Sequence, residues 1–462
     1  MALNIIFFIL PFLMYLGIAL QGASFYVICI LIPSLYFITN KKEIPKFITS
    51  IALFLIALHI IFPITSLMNY IFPSSLFPDF TYEIELKWPG ILLSNFPSAF
   101  FIGSAIILLL SLFSKKNAKS SHKKTSASLE IMPLKYFLSG LLPASILFCI
   151  ALIYQSYSGI DFRSLRGGIL ADTELLDNGK YRVYGFYGHP LTVAGACLAY
   201  ASFAWTLLWQ SITHKSNVKF HFISLYHKNF FPQISLAIIT FCNFFMIILS
   251  SGRTAAMACI FILITIPCIL YIRKKPIVTL SVTLIVVISS FFIAKNAGLI
   301  DRINLTTTSV TQSHSLDNGN YRQYFWKVYT QMFLDKPFVG QGNYWIKAGV
   351  REKYYDKMGY GDLTEKYNAH NNYLEILACG GLLAATWILF FLINLGKTLT
   401  QKLREQKGAY VYLPFCFAVA IISNLIHSLT QNVFFDSSVI YIYLTLLFVL
   451  IWQISANEKL KT

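Results

Sequence analysis

The stretch "YFLSGLLPASILFCIALIYQ", residues 136–155, runs for twenty residues without a charge, about the length a helix needs to cross the hydrocarbon core of a bilayer. Similar runs recur along the whole chain. Twelve can be read, at 2–20, 22–39, 47–69, 91–113, 136–155, 190–212, 233–250, 254–272, 277–295, 372–396, 410–432 and 438–455. They make 56% of the 462 residues hydrophobic and leave only 12% charged, against roughly 25% in ordinary soluble domains. The chain therefore reads as an all-α polytopic membrane protein of about 12 transmembrane helices, a single integral-membrane domain over 1–462. Its first span has no basic leader and no small-residue cleavage site, so it reads as a retained helix rather than a signal peptide.

Charge orients the bundle, because Lys and Arg resist translocation. With the N-terminus cytoplasmic, the inner loops hold Lys41, Lys42, Lys46, the "SKKNAKSSHKK" run at 114–124, and "RKK" at 273–275. That side collects 21 of the 37 basic residues but only four of the 20 acidic ones, while the other 16 of each sign cancel. Both termini are then cytoplasmic, and the whole net charge of +17 lies on one face. Such asymmetry explains a basic chain in a lipid membrane without a nucleic-acid partner. The eight cysteines stand singly in apolar spans with no Cys-x-x-Cys, so neither a disulfide framework nor a thiolate metal site is indicated. The outer loops have no Asp-x-Asp pair, no His/Asp/Glu set has ligand spacing, and there is no Walker or dinucleotide motif. Neither a metal nor a cofactor is expected from these patterns.

This topology leaves two long loops on the outer face, 156–189 and 296–371, where Gly, Tyr, Asn, Asp, Arg and Lys replace Leu, Ile and Phe. Long loops on a rigid helical scaffold are typically functional or disordered. In the second, "YRQYFWKVYTQMFLDKPFVGQG" at 321–342 has apolar residues at helical spacing followed by a Pro and Gly stop, which predicts a helix. Each loop also contains a near-repeat, "DNGKYRVY" at 177–184 and "DNGNYRQY" at 317–324, which sets Arg182 and Arg322 just after a turn-forming Asn-Gly. The flanks do not match, so the repeat is not a duplicated domain. It is either a recurring interfacial turn or a pair of placed arginines.

A third outer arginine, Arg253, sits in the turn "LSSGRTAAMA" at 249–258. It could simply snorkel to the interface. Alternatively, the small residues around it admit something bulky, and a guanidinium pairs bidentately with phosphate. In "KYNAHNNYLEILACGGLLAA", 366–385, His370 stands where the second long loop enters the tenth span. Its side chain either caps the helix or takes a proton from a hydroxyl. Glu375, five residues on, is an intramembrane carboxylate, able to orient a neighbour or pair with an arginine.

The segments "YGFYGHP" at 184–190, "SGRTA" at 251–255, "RQYFW" at 322–326, "DKPFVGQGNYW" at 335–345 and "HNNYLEILACGGLLA" at 370–384 resemble, in their order, the O-antigen ligase and O-antigen polymerase superfamily of bacteria. The resemblance spans about 160–400. It implies a GT-C-like, multi-pass protein of the bacterial inner membrane, with its active site facing the periplasm and its two long loops periplasmic. The implied activity is en bloc transfer of a glycan from an undecaprenyl diphosphate-linked donor to an acceptor hydroxyl, metal-independent and inverting. The implied roles are diphosphate binding for Arg253 and Arg322 and catalysis for His370. Arg182 and His189 are further candidates for glycan or phosphate contacts, and Asn371, Tyr373 and Glu375 for support within the His-Asn-x-Tyr-Leu-Glu motif.

A ligase would use lipid A-core as acceptor, a polymerase another carrier-linked glycan, and a protein O-oligosaccharyltransferase a Ser or Thr. The ligase reading comes first, although "GGLLA" ends in Ala384 where that branch usually has Gly, Thr or Tyr. The rival from another class is a lipid-linked glycan flippase or transporter, which would gather its charges at the membrane midplane.

Overall fold

The computed structural model of the chain describes residues 2–16, 46–73, 105, 133–162, 175, 179–213, 232–272, 274–296, 322–363, 368–405, 413–433 and 436–459. The spans expected at 22–39 and 91–113 lie outside these, apart from residue 105. The described residues are mostly helical and form no strand beyond one isolated bridge, Leu175 to Tyr181.

In chain order the helices are α1 (Ala2–Tyr15), α2 (Lys46–Ile71), α3 (Pro133–Ser158), α4 (Pro190–Thr213), α5 (Pro232–Leu249), α6 (Arg253–Tyr271), α7 (Pro276–Asn296) and α8 (Arg322–Asp335). There follow α9 (Asn343–Trp345), a π-helical segment (Ile346–Val350), α10 (Arg351–Lys357), α11 (Asn372–Glu405), α12 (Leu413–His427) and α13 (Ser437–Lys459). Five carry stretches long and apolar enough to cross a membrane: Ala52–Ile71 in α2, Leu134–Ser158 in α3, Pro190–Ile212 in α4, Arg253–Tyr271 in α6 and Asn372–Asn394 in α11. Shorter apolar stretches in α1, α5, α7, α12 and α13 join them, so the protein is a multi-pass membrane protein.

Helix α4 is the hub, with α5, α6, α12 and α13 packed around it. Its sequence explains this. Ala194, Gly195, Ala196, Cys197, Ala199, Ala201 and Ala204 are small, and all but the glycine are fully buried hydrophobics. In lipid, small residues are what allow helix backbones to close on one another. One such close approach is at Gly252, ahead of α6, where an added Cβ would lie 2.5 Å from the Ala194 Cβ.

Helix α8 and the segment that follows it are anchored through a break in α11. At Gly381 the backbone leaves the helical region (φ 59°, ψ −158°), and the segment after α8 fits into the gap. Gln341 and Gly342 donate their N–H groups to the carbonyls of Ala378 and Cys379 at 2.7 and 2.9 Å. Leu382 and Leu383 donate theirs to the carbonyls of Pro337 and Phe338 at 2.8 and 3.1 Å. A broken helix at membrane depth is tolerated only when its freed polar groups find such partners. The break also joins α8 rigidly to α11. A Cβ at Gly381 would fall 2.5 Å from the Phe338 carbonyl. Gly381→Ala is expected to destabilise the fold by about 2 kcal/mol or more, combining left-handed strain with a backbone clash. Thermal melting of the purified variant in detergent checks this.

Candidate active site

Arg322 is the first residue of α8, Arg253 the first of α6, and Arg182 lies in the loop leading into α4. The three lie near enough to act on one another electrostatically: burial first, then the charge of Arg253 and that of Arg182, push the Arg322 pKa down to about 10. It remains cationic at neutral pH. Holding like charges near one another in a partly dry site is costly, and such an arrangement is a candidate anion site.

Local structure explains each placement. After α5 ends, Ser251 takes a left-handed conformation (φ 56°) and its carbonyl accepts the Arg253 N–H at 3.0 Å. The chain thereby reverses within a few residues to start α6 with Arg253. Thr254 touches the hydroxyl of Thr430, beyond α12.

The Arg182 loop hangs from the end of α3. Tyr181 donates its N–H to the Ser156 carbonyl at 2.8 Å. The fully buried Gln155 accepts the N–H groups of Tyr184 and Gly185 at 2.9 and 2.8 Å, and donates to the Ile160 carbonyl at 3.0 Å. Arg182 is thus held from both sides. Gln155→Leu strands those two N–H groups, and is expected to lower activity about tenfold or more. In an Arg182→Ala background it should add far less, a non-additivity that a double-mutant cycle of transfer rates measures.

His370 precedes α11 with its own left-handed backbone (φ 45°), a conformation that persists only where its surroundings over-determine it. The Ala369 N–H donates to Glu375 Oε2 at 3.0 Å, the His370 N–H to Asn368 Oδ1 at 3.2 Å, and Trp326 Nε1 of α8 to the Ala369 carbonyl at 3.0 Å. The imidazole stacks on Phe325 of α8, with ring centroids 5.9 Å apart at 26°. Its Nδ1 lies 3.2 Å from Gln431 Oε1. An amide oxygen only accepts, so Nδ1 donates and Nε2 is the unprotonated ring nitrogen. Burial, the largest influence, lowers the His370 pKa from the ordinary histidine value; the Gln431 bond raises it and Arg322 lowers it. The ring is a neutral base at neutral pH.

The other candidates take supporting places. Asn371 Oδ1 accepts the N–H groups of Tyr373 and Leu374 at 2.9 and 3.2 Å, capping α11. The exposed Tyr373 donates its hydroxyl to the Leu425 carbonyl at 2.9 Å, tying α11 to α12. His189 is exposed at the head of α4, where its Nδ1 accepts the Leu191 N–H at 3.1 Å. Glu375 lies behind His370, within the influence of Arg351 and Lys347 and bonded to Asn432. It orients the histidine turn rather than pairing with the arginine cluster.

The heads of five helices therefore converge here. Thr192 of α4 bonds Asp436 ahead of α13, Gly252 ahead of α6 abuts Ala194 of α4, and Phe325 of α8 stacks on His370 ahead of α11. Their N-terminal dipoles add to the guanidinium charge. Sequence reasoning missed Gln155, Gln431 and His427. A histidine in an otherwise apolar run was the available signal for His427; an isolated glutamine offers none.

Comparison with curated proteins finds no match to the chain. Residues 238–389, which take in Arg253, Arg322 and His370, match the protein-family model described as O-antigen ligase. That match agrees with the resemblance of the motifs to the O-antigen ligase and polymerase superfamily and supports a membrane glycosyltransferase-like enzyme.

Proposed function

We propose that this protein is an O-antigen ligase-like glycosyltransferase that moves a glycan en bloc from undecaprenyl diphosphate to a hydroxyl of lipid A-core at the periplasmic face of the bacterial inner membrane. The observation that carries this reading is the convergence of Arg182, Arg253 and Arg322, with the neutral His370 beside Arg322.

In the proposed step, His370 Nε2 takes the proton of the acceptor hydroxyl as its oxygen attacks the anomeric carbon. The bond from that carbon to the diphosphate breaks, and its electron pair leaves with the diphosphate. The arginines neutralise the negative charge that builds on the leaving group, the kind of preorganised stabilisation that is usually the largest catalytic contribution. Attack opposite the leaving group inverts the anomeric centre in a single displacement.

Grouping at helix heads, rather than along a central cavity, supports surface chemistry over carriage by a flippase. A strain lacking the protein, analysed for its glycan products, tests the acceptor. Long polymer left on the carrier fits a ligase. Lipopolysaccharide capped with single repeats would move the assignment to a polymerase, and unglycosylated protein with normal lipopolysaccharide to a protein O-oligosaccharyltransferase.

A further inference from the structure

The end of α12 and the turn that follows it bear on the site at three points. Gln431 holds the His370 imidazole, and Thr430 meets Thr254 beside Arg253. His427, the last residue of α12, is close enough to Arg322 to feel its charge. Its side chain is only 1% exposed. It lies against the head of α4, with Cε1 3.6 Å from the position a Cβ would take on Gly195. Its Nδ1 is buried without a hydrogen-bond partner among the described residues.

A buried ring nitrogen is ordinarily satisfied. Here it is left open at the one place where the neighbouring guanidinium calls for an anion. A neutral imidazole can donate one N–H, and phosphate oxygens are acceptors. Hydrophobic packing alone would be served as well by leucine, which fills a similar space and leaves no polar atom to satisfy.

We infer that His427 is a further ligand-contacting residue of the site, donating its imidazole N–H to a phosphate oxygen of the lipid diphosphate that Arg322 holds. The inference rests on the diphosphate reading of the arginine cluster. It assigns the end of α12 and the turn after it two tasks: Gln431 sets the base, and His427 grips the leaving group.

The test uses purified full-length protein in nanodiscs and undecaprenyl diphosphate itself as the probe. His427→Leu is expected to weaken its binding about 10- to 100-fold, the range of a hydrogen bond to a charged group. His427→Gln, which keeps an N–H donor, should stay close to the wild type. In 15N-histidine-labelled wild-type protein, the ring-nitrogen signal missing from His427→Gln should move when undecaprenyl diphosphate is added.

Wild-type affinity in His427→Leu, or an unmoved His427 signal, overturns the inference if Arg322→Ala has lost binding. If Arg322→Ala also binds normally, the diphosphate reading itself fails. Should His427→Leu not fold, the labelled wild-type titration decides alone.

Discussion

Arg322→Ala is expected to abolish glycan transfer, by about a thousandfold or more, since it removes charge stabilisation at the point where charge develops. The variant should still insert, because Arg322 stands at the head of α8 and not inside an apolar span. Arg322→Lys should recover little, as an ammonium lacks the planar fork that grips two phosphate oxygens.

Stability should move the other way. Burial and two neighbouring cations hold the Arg322 pKa down at about 10, below its ordinary value of 12.5. A base whose pKa falls on folding is destabilising whenever it is charged, and at neutral pH that penalty is fully present. Arg322→Met is therefore expected to melt at a higher temperature than the wild type in the absence of donor, and to be inactive. Assay of transfer alongside thermal melting separates the two effects. Full activity in Arg322→Ala would sink the site assignment.

His370→Ala is expected to lower transfer by about 10²- to 10⁴-fold, the usual contribution of a positioned general base, while donor binding persists. The pH profile carries the sharper test. Burial, with help from Arg322, lowers the His370 pKa from 6.5 against the opposing Gln431 bond. The base form thus survives to lower pH, and the acid limb of the rate profile should lie below the ordinary histidine range. Gln431→Leu removes a bond that favours the protonated ring, so that limb should shift lower still. A limb at or above the ordinary histidine range, in the wild type, would contradict His370 as the base.

Much of the architecture was legible from the sequence, because an apolar run that must satisfy its backbone in lipid has little choice but helix. The helix expected after "DNGNY" begins at Arg322 and ends just before Lys336 and Pro337. The tight turn at Arg253 was legible from Ser-Ser-Gly. Glu375 was ambiguous, since a carboxylate beside a loop can serve an arginine or a backbone N–H with equal plausibility. The fold chose the Ala369 N–H. The break at Gly381 was not foreseen either: "ACGGLLAA" reads as continuous helix until the Pro337–Gly342 segment is seen to occupy the gap.

The sequence by itself determined that this is a helical membrane protein and which residues of its polar segments could carry chemistry. Those properties are local, resting on hydropathy, turn propensity and side-chain type within a few residues. Only the tertiary structure decided that Arg182 and Arg253 bear electrostatically on Arg322, that Gln155 and Gln431 hold the Arg182 loop and the His370 ring, and that His427 lies within reach of the Arg322 charge. Those facts depend on how closely the small residues of α4 let its neighbours approach, and on backbone bonds between segments far apart in the chain. A lone polar residue in an apolar run means little until packing shows what stands opposite it.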